Sequence, residues 1–223
     1  MYRVIVLFSI SALNCVIRIS TQMASGGSFT DFGELVLIIG DFHVPYRKQD
    51  IPTVFKELLN TDKIKTILCT GNVGCDEMVD RLRQIVPNLY IVRGDHDTSL
   101  TSNELPEHIV LNIGQFKVGL IHGHQILPCG DHDAMAAVQR RLDVDILVTG
   151  HTHKNEIFQD CGKFFVNPGS VTGASNESVM PTGSVVPSFM LMAVQGPSAV
   201  VYVYELIGGK ANVAMSEFRK VEI

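Results

Sequence analysis

Charge is scarce in this sequence. Of its 223 residues, 18 are Lys or Arg and 23 are Asp or Glu, 18% in all against 46% hydrophobic, with a positive mean hydropathy of +0.21. Globular chains run nearer about a quarter charged. A disordered chain has the opposite balance, so intrinsic disorder is excluded. A basic excess is also missing, because the formal net charge is −5. Binding nucleic acid through bulk electrostatics needs a basic footprint to neutralise phosphates, and this chain has none. The five cysteines (Cys15, Cys69, Cys75, Cys129 and Cys161) form no C-x-x-C pair. Zinc ribbons and thioredoxin-like redox motifs are thereby disfavoured, and buried thiols in a reducing compartment fit better.

The N-terminal segment differs from the rest. Positions 4–17 hold eleven apolar residues in fourteen between Arg3 and Arg18, and residues 1–22 contain no acid. Fourteen residues are too few to span a bilayer, which needs about 20. A signal peptide would share the apolar stretch, but Arg18 sits where its neutral end should be and no A-x-A-like cleavage site follows. Met23 opens a small polar stretch that would serve as an ordinary cytosolic start. Residues 1–33 are therefore expected to be a leader or extension outside the core, either removed or misassigned, with a secretory signal as the other reading. Residues 34–223 are expected to form a single domain.

From Glu34 the chain alternates strand and helix. Leu35, Val36, Leu37, Ile38 and Ile39 form a continuous apolar run, which marks a strand buried on both faces. Further strands are expected at 66–69, 89–92, 109–113, 116–121 and 145–148. Helices are expected at 52–59, where Pro52 stands early and its missing N–H is harmless, at 76–86 and at 131–142. After residue 148 the texture is β throughout, at 156–159, 163–166, 189–195 and 199–207, with Gly196-Pro197 and Gly208-Gly209 as turns. The expected fold is α/β: a sandwich of two mixed sheets with helices on the outer faces.

Polar residues cluster where these strands end. The clusters contain Asp41 and His43; Asn72; Asp95, His96 and Asp97; His122 and His124; His151 and His153. In α/β sheets ligands bind beyond the carboxyl ends of strands, so the clusters should meet at one edge. Six of the eight histidines lie in them, and only His108 and His132 do not. Mixed Asp, His and Asn donors suit Zn²⁺ or Mn²⁺ rather than a thiolate metal. Asp41 with His43, and His151 with His153, are each two residues apart and can share one face. Two such pairs suggest up to two ions about 3.5–4 Å apart.

In order, these motifs resemble D-x-H, G-D, G-N-H-D/E, a single His, and G-H-x-H of the calcineurin-like metallophosphoesterases. The resemblance implies that Asp41, His43 and His153 hold one divalent metal and that Asp95, His122 and His151 hold the other. Asn72 would stand between them and His124 behind them, and His96 would protonate a leaving oxygen. Two positions depart from the catalytic pattern: Asn72 replaces the bridging Asp, and Asp95 replaces the usual Asn. An amide has one good oxygen ligand and bridges two cations poorly beside a carboxylate.

The exchanged pair is similar to the non-catalytic branch of that family that serves as a scaffold in retromer, the endosomal cargo-recycling coat. That resemblance implies a cytoplasmic protein, peripheral on endosomal membranes through its complex. The large helical solenoid subunit of retromer would cover the metal edge, and regulators would bind an apolar surface at Leu191, Tyr202 and Tyr204. Read from the residues alone, period two sets both tyrosines on one face and Val201 and Val203 on the other, and both faces suit the core of a sandwich. His96 stands where that branch often carries an aromatic residue, which keeps an active Mn²⁺- or Zn²⁺-dependent phosphodiesterase or phosphatase as the alternative.

Overall fold

The computed structural model describes residues 5–6, 33–97, 105–176 and 184–220. Apart from Ile5–Val6 and Gly33, the leader or extension expected at 1–33 lies outside them. Among the described residues, β1 (Ile5–Val6), β12 (Lys210–Arg219), β11 (Ser198–Ile207), β10 (Ser188–Gln195), β2 (Glu34–Ile39), β3 (Thr66–Cys69) and β4 (Asn88–Ile91) form a seven-stranded sheet in that order. A second sheet runs β5 (His108–Ile113), β6 (Phe116–Ile121), β7 (Ile146–Val148), β9 (Lys163–Pro168) and β8 (Asn155–Asp160). Both sheets are mixed, as the sequence predicts. Helices α1 (Thr53–Leu59) and α2 (Asp76–Ile85) cover the first sheet, and α3 (His132–Leu142) covers the second.

The continuous apolar run of β2 serves two cores at once. Val36 and Ile38 face the space between the sheets with Val118, Leu120, Val166 and Met190, whereas Leu37 and Ile39 pack under Phe55 and Leu82 of the helices. Alternation along a strand makes this division automatic. Each fully buried side chain of this size contributes about 1.5–3 kcal/mol by leaving water. Helix α3 starts at Asp131, whose carboxylate accepts the Ala134 N–H, and ends at Asp143 in the left-handed region (φ 52°). Among the described residues no helix is long and apolar enough to cross a membrane.

Leu191, Tyr202 and Tyr204, expected on an apolar docking surface, are 1%, 5% and 0% exposed and lie in the cluster that holds Phe55 and Phe189. Leu191 lies in β10 between β2 and β11, and Tyr204 stacks on Phe189 at 4.7 Å, with Phe55 edge-on beyond it.

Parallel pairing then places the site. Strands β2, β3 and β4 are parallel in one sheet, and β6, β7 and β9 in the other. The loops after β2, β3, β4, β6 and β7 leave at one shared edge, and each carries one of the polar clusters.

Candidate metal centre

Five candidate ligands have left-handed backbones: Asp41, His43, Asn72, His151 and His153, with φ between 50° and 68°. Non-glycine residues adopt this conformation rarely, and it concentrates at sites that the surrounding structure over-determines. Here the surroundings are hydrogen bonds. Asp97, nearly buried, accepts N–H groups of Asn72 (2.7 Å), Val73 (2.9 Å), Gly74 (3.4 Å) and Gly94 (2.9 Å), bracing the loops after β3 and β4 together. Ser170 Oγ donates to Asp41 O at 2.7 Å, Thr172 Oγ1 to Phe42 O at 2.8 Å and Asn176 Nδ2 to His151 O at 2.7 Å. The loop after β9 thus laces the first ligand pair to the last.

The donors form two groups. Asp41, His43 and His153 bring one ligand atom each within 4.8 Å of the others, and Asp95, His122 and His124 do the same. His151 joins the second group, with Nδ1 3.5 Å from Asp95 Oδ1. His124 therefore lies closer to the donors than the position behind them that the resemblance implies.

The tautomers follow from the carbonyls. His153 Nδ1 is 2.6 Å from Ala174 O, and His122 Nδ1 is 2.6 Å from Thr70 O, so both Nδ1 atoms carry the proton and both Nε2 lone pairs face inward. His153 Nε2 meets His43 Nε2 at 3.1 Å and lies 3.5 Å from Asp41 Oδ1. His122 Nε2 meets Asp95 Oδ1 at 3.0 Å. Asp41 Oδ1 and His151 Nδ1 are buried without a hydrogen bond. Acceptors turned on acceptors need a proton or a cation between them. Two nitrogens on one tetrahedral zinc, each about 2.0–2.1 Å away, lie roughly 3.3 Å apart, so the spacing fits a metal as well as a proton.

Electrostatics agree. Burial pushes the His43 imidazole down to about 3, helped by the charges of His153 and Arg47, so the ring stays neutral and ready to ligate. Burial would raise Asp95, but the neighbouring His122, His151 and Asn72 side chains outweigh it and hold the carboxyl far down. Burial likewise lowers His122, but the neighbouring Asp95 and Asp41 carboxylates outweigh it and raise the imidazole.

Asn72 stands between the two groups, as the sequence suggests, with its amide turned in a definite sense. Its Oδ1 accepts the His96 N–H at 2.9 Å, and its Nδ2 points at Asp95 Oδ1 (2.9 Å) and His122 Nε2 (3.1 Å). A flipped amide would set a donor against the His96 N–H, so the orientation is fixed by the backbone. Gly94 lets this loop approach, because a Cβ there would lie 2.1 Å from Asn72 Oδ1. His96 is half-exposed at the rim, where Arg47 reaches its Nε2 at 3.1 Å.

The sequence places Asp97 in a strand-end cluster without giving it a role, and it does not single out Arg47 or two exposed apolar side chains on the loops of this edge, Tyr46 (82%) and Leu127 (78%). Asp97 had a visible signal, since it closes the G-D-x-D stretch. Single exposed residues such as Arg47 and Leu127 carry no pattern.

A profile of the calcineurin-like phosphoesterase superfamily domain matches residues 35–194. Vacuolar protein sorting-associated protein 29 of Schizosaccharomyces pombe is 39% identical over 189 residues, which cover 84% of this chain and all of the yeast protein. The chain belongs to the Vps29 family. Among solved structures, Vps29 from Cryptosporidium parvum is 53% identical with a TM-score of 0.79, covering 85% of this chain and 100% of that one. Wild-type Vps29 from Entamoeba histolytica, solved in complex with Zn²⁺, is 47% identical with a TM-score of 0.76, covering 83% and 99%. These Vps29 relatives each match between 83% and 85% of the chain.

Proposed function

We propose that this chain is a scaffold subunit of a retromer-type coat in vacuolar and endosomal protein sorting, and that its metal-bearing edge docks the large helical solenoid subunit. The Vps29 relationship supports the sorting role. The observation that carries the scaffold reading is the Asn72 amide. Where a hydrolase of this superfamily needs a carboxylate to bridge two cations, this chain presents an N–H₂ group already bonded to Asp95.

The residues present fit divalent metal, zinc or manganese, in up to two positions. Asp41, His43 and His153 would hold one ion; Asp95 and His122 would hold the other, with His151 or His124 completing it. A bound cation would supply the positive charge that the inward-facing lone pairs call for, and so fix the shape of the edge. The chain's own residues do the rest. Thr70 O and Ala174 O orient the two imidazoles, and Asp97 ties the loops carrying Asn72 and Asp95. Tyr46 and Leu127 offer apolar contacts beside the site, and Tyr is among the residue types enriched at interface hot spots. Retained His96 favours hydrolysis on its own, but its Nε2 is engaged by Arg47 and no bridging carboxylate accompanies it.

The test is a pull-down of the zinc-loaded chain by the C-terminal half of the solenoid subunit, run beside hydrolysis of an aryl phosphodiester. A stable complex with turnover no greater than that of His96→Ala is expected. Failure to bind, or metal-dependent turnover that His96→Ala abolishes, would overturn the reading.

A further inference from the structure

At the rim of the metal centre lies a small pocket of about 250 Å³, lined by His43, Tyr46, Arg47, Asn72, Gly74 and His96. Its floor belongs to the site already described, but Arg47 and Tyr46 do not serve that site. The Arg47 guanidinium is held in place by Ser175 O (2.7 Å) and His96 Nε2 (3.1 Å). A guanidinium has five N–H donors in a fixed fork, so these two contacts leave donors to spare. Arg81, Arg83 and Arg93 each pair with a carboxylate, to Asp50, Asp80 and Glu107. Arg47, like Arg140, Arg141 and Arg219, pairs with no carboxylate among the described residues, but it alone of these is fixed over a pocket, by a carbonyl and an imidazole.

We infer that this pocket is a socket for one acidic side chain, a Glu or Asp, of the solenoid partner that covers this edge. The inference rests on the docking proposed above and assigns the residue that selects the partner. Pocket size favours a single side chain, since small-molecule sites run to roughly 300–1,000 Å³. The planar fork of Arg47 matches a carboxylate bidentately. The neighbouring Tyr46 ring, 82% exposed, gives the stem of that side chain an apolar wall. Tyr and Arg side by side are the residue types that dominate interface hot spots.

Calorimetric binding of the zinc-loaded chain to the solenoid subunit's C-terminal half, at low and high salt, tests this. Arg47→Ala should weaken the complex on the order of tenfold to a hundredfold and flatten its salt dependence. Arg47→Lys should fall between, because it keeps the charge and loses the fork. Unchanged zinc uptake by both variants confirms that the edge is folded. Wild-type affinity and salt slope in Arg47→Ala would overturn the socket while leaving the docking intact. Loss of the complex to inorganic phosphate in wild type but not in Arg47→Ala would replace the carboxylate with a phosphoryl ligand and also overturn it. No complex with the wild-type chain would remove both the docking and the socket.

Discussion

His43 Nε2 and His153 Nε2 face each other across 3.1 Å, with the His153 Nδ1 proton committed to Ala174 O. The contact is stable only if something positive or a proton sits in it, and burial keeps the His43 ring neutral down to about 3. Zinc is therefore expected to raise the melting temperature of the chelator-treated protein, and His153→Ala to lose most of that rise; thermal melts with and without zinc measure both. Acid works in the opposite direction. The folded His43 value lies below the ordinary 6.5, so the unfolded chain binds the extra proton first. Metal-free stability should fall as pH drops from 6.5 toward 3, and urea midpoints across that window report it. A midpoint that rises on acidification would contradict the assignment.

The Asp97 carboxylate holds four backbone N–H groups on the two loops that carry Asn72 and Asp95. Asp97→Ala strands buried donors and should cost about 2–4 kcal/mol in urea unfolding. Zinc affinity should fall with it. Asp97→Asn, which retains an acceptor, should recover part of both.

Leu191 separates a core residue from a docking residue. Truncation of a fully buried leucine costs about 2–5 kcal/mol, whereas an exposed one is within roughly 0.5 kcal/mol of neutral. Leu191→Ala is expected in the first range by chemical denaturation.

Asp145 pins the second sheet to the chain's end. Burial would push its carboxyl up, but bonds from Lys220 Nζ, the Lys117 N–H and Lys163 Nζ outweigh it and hold it at about 2. A folded value below the ordinary 3.8 stabilises above that pH and is lost as pH falls toward 2. Asp145→Asn should destabilise by about 1–3 kcal/mol at neutral pH. The difference from wild type should shrink through that window and vanish below it, as paired urea titrations would read.

Much of this was legible in the sequence, for physical reasons. Strands buried on both faces write continuous apolar runs, and β2, β3 and β10 were plain. Strand-end histidines announced the metal edge because parallel strands deliver their loops to one side. β12 was not legible. Six consecutive positions from Ala211 to Ser216 are half-buried at the sheet margin, so no clean alternation marks the strand. The Asn72 orientation was equally hidden, because it depends on a His96 N–H brought there by a loop 24 residues away. Leu191, Tyr202 and Tyr204 alternate as any sandwich strands do, and nothing in their spacing says whether a helix covers them.

The central claim is that the metal-bearing edge is a docking surface. Its most direct measurement is the affinity of the solenoid subunit's C-terminal half for three forms of the chain: wild type, Leu127→Asp at the edge and Ile207→Asp at the exposed β11–β12 turn. Both side chains are exposed, at 78% and 51%, so neither change disturbs the core. The account predicts that Leu127→Asp weakens the complex at least about a hundredfold, a hot-spot loss, while Ile207→Asp binds as wild type. Equal affinity for all three, or loss at Ile207 alone, would contradict it.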